Sequence, residues 1–144
     1  RELTEFMTAA AKEAEIAGDW TGAAWYYRQL LDNNPDSADL PIRLALALAL
    51  SGETPAALEV LELTAPGNAL NRTTAGLIRL RAGEPSAALP LLKEALKATG
   101  GKAAANASEW PILFRTVAEY LKSPDARSSV DANSASLLLK KLCP

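Results

Sequence analysis

Carboxylates stand close enough to cooperate in groups such as Glu13 with Glu15 and Glu59 with Glu62. The second pair is three residues apart and shares one face of a helix, where two carboxylates could pass a proton or share a cation. Nothing else in the sequence completes such a site. The chain has no histidine, which removes the commonest general base and metal ligand along with the Ser/His and Cys/His nucleophile arrangements. Cys143 is the single cysteine, so neither an internal disulfide nor a thiolate zinc site can form. Gly100-Gly101-Lys102 lacks the preceding strand and the spacing of a phosphate loop. The carboxylates therefore read as solvated helix surface, and the sequence predicts no catalytic residue, no metal site and no cofactor.

The aromatic run Trp25-Tyr26-Tyr27 is the other candidate, because ring faces can stack on bases. No basic cluster surrounds it, and a net charge of −2 offers no field for nucleic acid or anionic lipid. The run is expected to be core with one or two rings exposed, and Trp20 to pack in a turn. Residues 1–45 hold eight acids and four bases, and the remainder nine and eleven, an asymmetry too mild to name a partner. Leu44 to Leu50 is the richest apolar stretch, far short of the roughly 20 residues a membrane helix needs. No signal-peptide pattern is present, and a chain opening on Arg1 reads as a processed product or an excised piece of a larger or membrane-anchored protein.

The elements that would carry these residues are read from turns and period. Ala and Leu are abundant, both favourable in helices. Gly18, Gly52 and Gly83 each follow an apolar-rich stretch and precede an acid, at spacings of 34 and 31 residues. A period of that size implies stacked helical hairpins. Glycine ends a helix by adopting the left-handed conformation, and the acid after it sits where the next helix dipole favours negative charge. Five residues beyond each glycine stands an alanine (Ala23, Ala57, Ala88), letting two helices approach closely; nine beyond stands a large side chain (Tyr27, Leu61, Leu92) to fill the space between them.

Helices are predicted in pairs at about 3–17 and 21–33, 39–51 and 55–64, and 69–82 and 86–98, with Asn33 to Ser37 and Ala65 to Asn68 as breakers. Pro90 falls inside the last of these, so that helix should start late or kink. Residues 100–107 read as a flexible connection. Beyond it, a helix from Ser108 to about Lys122 presents Trp110, Leu113, Phe114, Val117 and Leu121 on one face, and a last helix runs from Asp131 to Leu142. These two form a degenerate fourth pair, or a cap on the end of the stack.

In these glycines, alanines and large residues, with Ala11, Ala45 and Gly76 seven before each glycine and Pro35 seventeen after the first, the chain resembles the tetratricopeptide repeat family over residues 3–99. Ala14 and Arg79 depart from the family's large residue, and Leu30 and Thr64 from its small one. The resemblance implies an all-α fold of stacked antiparallel pairs in a right-handed superhelix: three repeats over 1–99, a connection at 100–107, and capping helices over 108–144. It also implies a concave groove lined by the first helix of each pair. Carried over, the groove positions are Thr8, Lys12, Glu15 and Ile16; Ile42, Leu46, Ala49 and Leu50; and Thr73, Leu77, Leu80 and Arg81. Such a groove, greasy in the middle and charged at its edges, suits an amphipathic helix or apolar peptide. The Lys, Asn and Arg clamp with which some family members hold acidic chaperone tails is not reproduced at Thr8, Lys12, Arg43, Leu70 and Thr74.

The function so implied is a protein-binding scaffold or adaptor, not an enzyme, with no nucleic-acid partner and no direct membrane insertion. Such short arrays suggest a bacterial secretion, pilus or polysaccharide-export assembly, in the cytoplasm or periplasm. The alternatives are a self-associating module, dimeric through its leucine-rich faces, or a docking domain cut from a larger enzyme. The groove has one competing occupant, the chain's own terminal helices.

Overall fold

A computed structural model describes residues 2–64, 68–104 and 111–144. Among these residues the chain is all helical, with no strand. Its helices are α1 (Glu2–Ile16), α2 (Trp20–Asn33), α3 (Leu40–Leu50), α4 (Thr54–Leu63), α5 (Ala69–Arg81), α6 (Pro85–Ala98), α7 (Pro111–Leu121), α8 (Pro124–Arg127) and α9 (Val130–Leu142). The first six and α9 fall within a residue of their sequence-predicted limits. Ser108 and Trp110, expected to open the seventh, lie outside the described residues, as do Ala65, Pro66 and Gly67 of the second breaker.

Three hairpins share one turn. At the first, the N–H of Gly18 reaches the carbonyl of Glu15 at 3.0 Å and that of Asp19 reaches Ala14 at 2.8 Å. Gly52 with Glu53, and Gly83 with Glu84, repeat both bonds on Ala49 and Leu48 and on Leu80 and Arg79. This pair of backward bonds satisfies carbonyls that a helix end otherwise orphans, and it requires a left-handed residue. The three glycines supply it with φ of 75°, 94° and 75°. The acids that follow are not equivalent. Asp19 caps α2 by accepting from the Gly22 N–H at 2.9 Å, Glu84 instead pairs with Arg79 across the turn at 2.9 Å, and Glu53 makes no side-chain cap.

Behind the turns, each hairpin closes over the recurring small and large residues. Ala23, Ala57 and Ala88 are wholly buried, and Tyr27, Leu61 and Leu92 nearly so. In the third hairpin a Cβ on Gly76 would sit 2.5 Å from Leu92 Cδ2 and 3.6 Å from the Ala88 carbonyl oxygen. Pro90 neither delays nor ends α6, which runs unbroken from Pro85. Its ring is exposed, and so is Ser86, whose carbonyl is the one Pro90 leaves without a helical N–H donor.

The chain divides into two compact units, Arg1–Ala65 and Pro66–Pro144. The boundary lies inside the span 1–99 assigned above to three stacked hairpins. In the first unit, hairpin α1–α2 meets hairpin α3–α4 through α2 against α3. In the second, hairpin α5–α6 is flanked by α7 on α5 and by α9 on α6. The terminal helices therefore embrace one hairpin from both sides, and α7 and α9 touch each other only slightly. Ser123, predicted simply to break a helix, caps the extra turn α8 by accepting from the Ala126 N–H at 3.3 Å, and Ser129 caps α9 in the same way. The connection is pinned at its start: Gly101 closes α6 by bonding Leu96, and the Ala104 N–H donates to Leu142 at 2.8 Å. Residues 105–107 lie outside the described residues.

Nothing lies within 4 Å of a Cβ built on Gly52, so Gly52→Ala tests the turn alone. Urea denaturation should show a loss of about 1–2 kcal/mol, the cost of a left-handed non-glycine residue.

Candidate interaction faces

The residues with chemical potential are scattered rather than convergent. Glu59 and Glu62 both lie exposed on α4, and no group of three or more His, Cys, Asp or Glu residues that could hold a metal occurs among the described residues. No helix is long and apolar enough to cross a membrane among them. Glu15 serves a structural purpose: its Oε1 accepts a 2.6 Å hydrogen bond from the Tyr27 hydroxyl. Burial first, and then the bond to Glu15 and its charge, push the Tyr27 phenol well above its ordinary value. The bond ties α1 to α2 across the hairpin. Tyr26 stands edge-on to Trp25 at 5.2 Å, and Trp25 is 55% exposed. The aromatic run is thus one core ring and one outward ring, as its sequence suggests.

The positions carried over to a groove separate into two sets. Thr8, Lys12, Glu15, Leu50 and Arg81 keep exposed surface. Ile42, Leu46, Thr73, Leu77 and Leu80 are buried, the last three completely. Those five belong to the core of the chain and do not line a free surface. The reason lies in the packing of their helices. α3 is apolar nearly all round and lies between α2 and α4, and a helix of that pattern is buried on every side. α5 is held by α6 on one flank and by α7 on another. Ala49 is likewise fully buried, whereas Ile16 projects outward at 87% exposure.

Sequence reasoning gave Asn71 and Arg72 no role and placed Thr73 in a groove, without foreseeing that the polar start of α5 is buried. Asn71, Arg72, Thr73 and Thr74 are all buried. Thr73 and Thr74 donate to the carbonyls of Ala69 and Leu70, each at 2.8 Å, so their hydroxyls are satisfied within their own helix. Arg72 Nη2 donates to Asn71 Oδ1 at 2.8 Å. A run of four polar residues inside an otherwise enclosed helix is the signal that could have marked them, since buried polar groups persist only when bonded.

Two surface features could receive a partner. A shallow cleft of about 180 Å³ opens between α7 and α9, lined by Phe114, Val117, Leu121, Leu139, Lys140 and Cys143. It has room for one large apolar side chain. The other feature is the distribution of exposed large apolar residues: Leu3, Phe6 and Ile16 on α1, and Val130 and Leu137 on α9, between 58% and 87% exposed, with only Trp25 and Leu63 elsewhere among the described residues. No family model, curated protein or solved structure matches the chain.

Tyr27→Phe tests the latch between α1 and α2. Because the folded chain holds the Tyr27 proton beyond the ordinary value of 10.0, the unfolded chain loses it first, and stability must fall as pH climbs past that value. Urea melts at pH 8 should place the variant about 1 kcal/mol below the wild type. Between pH 10 and 11 the wild type should lose stability more steeply than the variant.

Proposed function

We propose that this chain is a protein-interaction module, an all-helical scaffold of tetratricopeptide-like hairpins that holds another protein and performs no chemistry of its own. The observation that carries this reading is the placement of apolar surface. The interior closes tightly over small and large residues at a fixed register, yet Phe6 and Ile16 on α1 and Val130 and Leu137 on α9 stand in solvent. Exposed apolar residues scattered singly need no explanation, but a concentration on two helices marks a contact surface. The absence of histidine and the solvated carboxylates on α4 agree with a binding role. Docking is assigned to these outward helix faces, with Lys12 alongside, because the groove positions Ile42, Leu46, Thr73, Leu77 and Leu80 are occupied by the chain's own packing.

The partner segment suited to such a face is a helix with an apolar stripe, since a helix face offers no free backbone bonds and recognises side chains alone. Replacing Phe6 or Leu137 with the photo-cross-linker p-benzoylphenylalanine tests the reading in cells that make the protein. Irradiation should give discrete protein adducts from both positions, whether with a second copy or with another chain, and none from the same group at exposed Glu94. Equal adducts at all three positions, or none at any, would remove the interaction reading.

A further inference from the structure

The outward residues of α1 and α9 are not random sites on their helices. On α1, Glu2, Phe6, Ala9, Glu13 and Ile16 are all exposed, at intervals of four, three, four and three. On α9, Val130, Asn133, Leu137 and Lys140 are all exposed, at intervals of three, four and three. An alternation of three and four makes one straight seam along a helix, the geometry by which two helices pack side by side. Within its own unit α1 packs on α2, and α9 on α6 and α8. Of the seam residues, Asn133 also donates from Nδ2 to the Arg127 carbonyl at 3.2 Å, and Lys140 borders the cleft against α7.

We infer that the two seams are complementary and join copies of this chain, α9 of one copy lying antiparallel on α1 of another. In that direction Val130 meets Ile16, Asn133 meets Glu13, and Leu137 meets Ala9, large against small. The stem of Lys140 covers Phe6, and Lys140 and Lys141 arrive at the end of α1 that carries Glu2 and Glu5. The parallel alternative would set Val130 against Glu2 and Asn133 against Phe6, wasting both apolar contacts. The occupant is identified as a second copy by charge. Residues 1–65 hold eleven acids and four bases, a net charge of −7, whereas residues 66–144 hold six acids and eleven bases, a net charge of +5. Asp39–Arg43 and Arg79–Glu84 pair internally, whereas Glu2, Glu5, Lys140 and Lys141 are exposed and act outward. Opposite net charge on the two units steers copies together and disfavours the contact of like with like.

A seam of four layers falls below the roughly 1,200 Å² of a stable complex, so the association is weak and sensitive to salt. The contact joins unlike surfaces, so association grows with concentration. The inference rests on the interaction reading and names one partner for it. It fails separately, since a chain that is always monomeric could still give adducts with a foreign protein.

Sedimentation of the purified chain, from about 10 µM to about 1 mM in low salt, tests the inference over the range in which contacts of this size associate. The mean mass should rise above that of one chain and return to it in about 0.5 M NaCl, as screening requires. Glu2→Lys with Glu5→Lys, and separately Lys140→Glu with Lys141→Glu, should each weaken association by about tenfold or more through like-charge contact. Circular dichroism should match the wild type, because all four side chains are exposed. An equimolar mixture of the two variants should associate again, since each then meets an opposite charge. A chain monomeric throughout, or a mixture no better than its components, overturns the inference.

Discussion

The fold depends on how closely two antiparallel helices can approach at the crossing point of a hairpin. In the third hairpin the Leu92 side chain occupies the place a Cβ on Gly76 would take, and the Ala88 carbonyl lies just beyond it. The same register puts Ala11 and Ala45 opposite hairpin partners that supply Ala23 and Tyr27, and Ala57 and Leu61, all of them buried. A small residue on one helix and a large one on the other is a volume constraint, and protein interiors tolerate little departure from close packing. The glycine turn sets the register in which these residues meet. Together the turn and the crossing explain why chemically modest sequences give hairpins of one kind.

What differs between the two units is how the hairpin's remaining faces are covered. In the first, one hairpin covers another through α2 and α3. In the second, a single hairpin is covered by terminal helices that do not repeat its sequence pattern. α9 takes the flank of α6, and α7 the flank of α5. Covering α5 on two sides encloses Thr73, Leu77 and Leu80, which is why a groove drawn from the helix register alone does not survive there. Exposed large apolar residues stand instead on the outward faces of the first and last helices.

The sequence made the hairpins legible because their cause is local. A left-handed glycine, a following acid and a small-to-large interval of four residues can each be read within one repeat. The all-helical class and nearly all helix limits followed from that. The site was less legible, because whether a side chain is free depends on which distant helix covers it. Ile16 and Leu50 both stand two residues before their glycines, yet Ile16 is 87% exposed and Leu50 is half-buried. The charge contrast was hidden for a related reason: a cut after residue 45 mixes the basic second unit with the acidic α4, and only the boundary at residue 65 separates them. Tyr27 was placed correctly as a core ring, but its bond to Glu15 joins residues twelve apart on separate helices, beyond the reach of pattern reading.

The crossing-point constraint is tested most directly by a double-mutant cycle between Gly76 and Leu92, read by urea denaturation. Alanine in place of a helical glycine ordinarily stabilises by roughly 0.5–1 kcal/mol. In the wild-type background Gly76→Ala should instead destabilise, by about 1–3 kcal/mol of overpacking. In the Leu92→Ala background the added methyl group meets space, so the same change should become neutral or stabilising, with a coupling of about 1–3 kcal/mol. Costs that simply add would show that the two residues do not compete for one volume, and the account of the hairpin would be wrong.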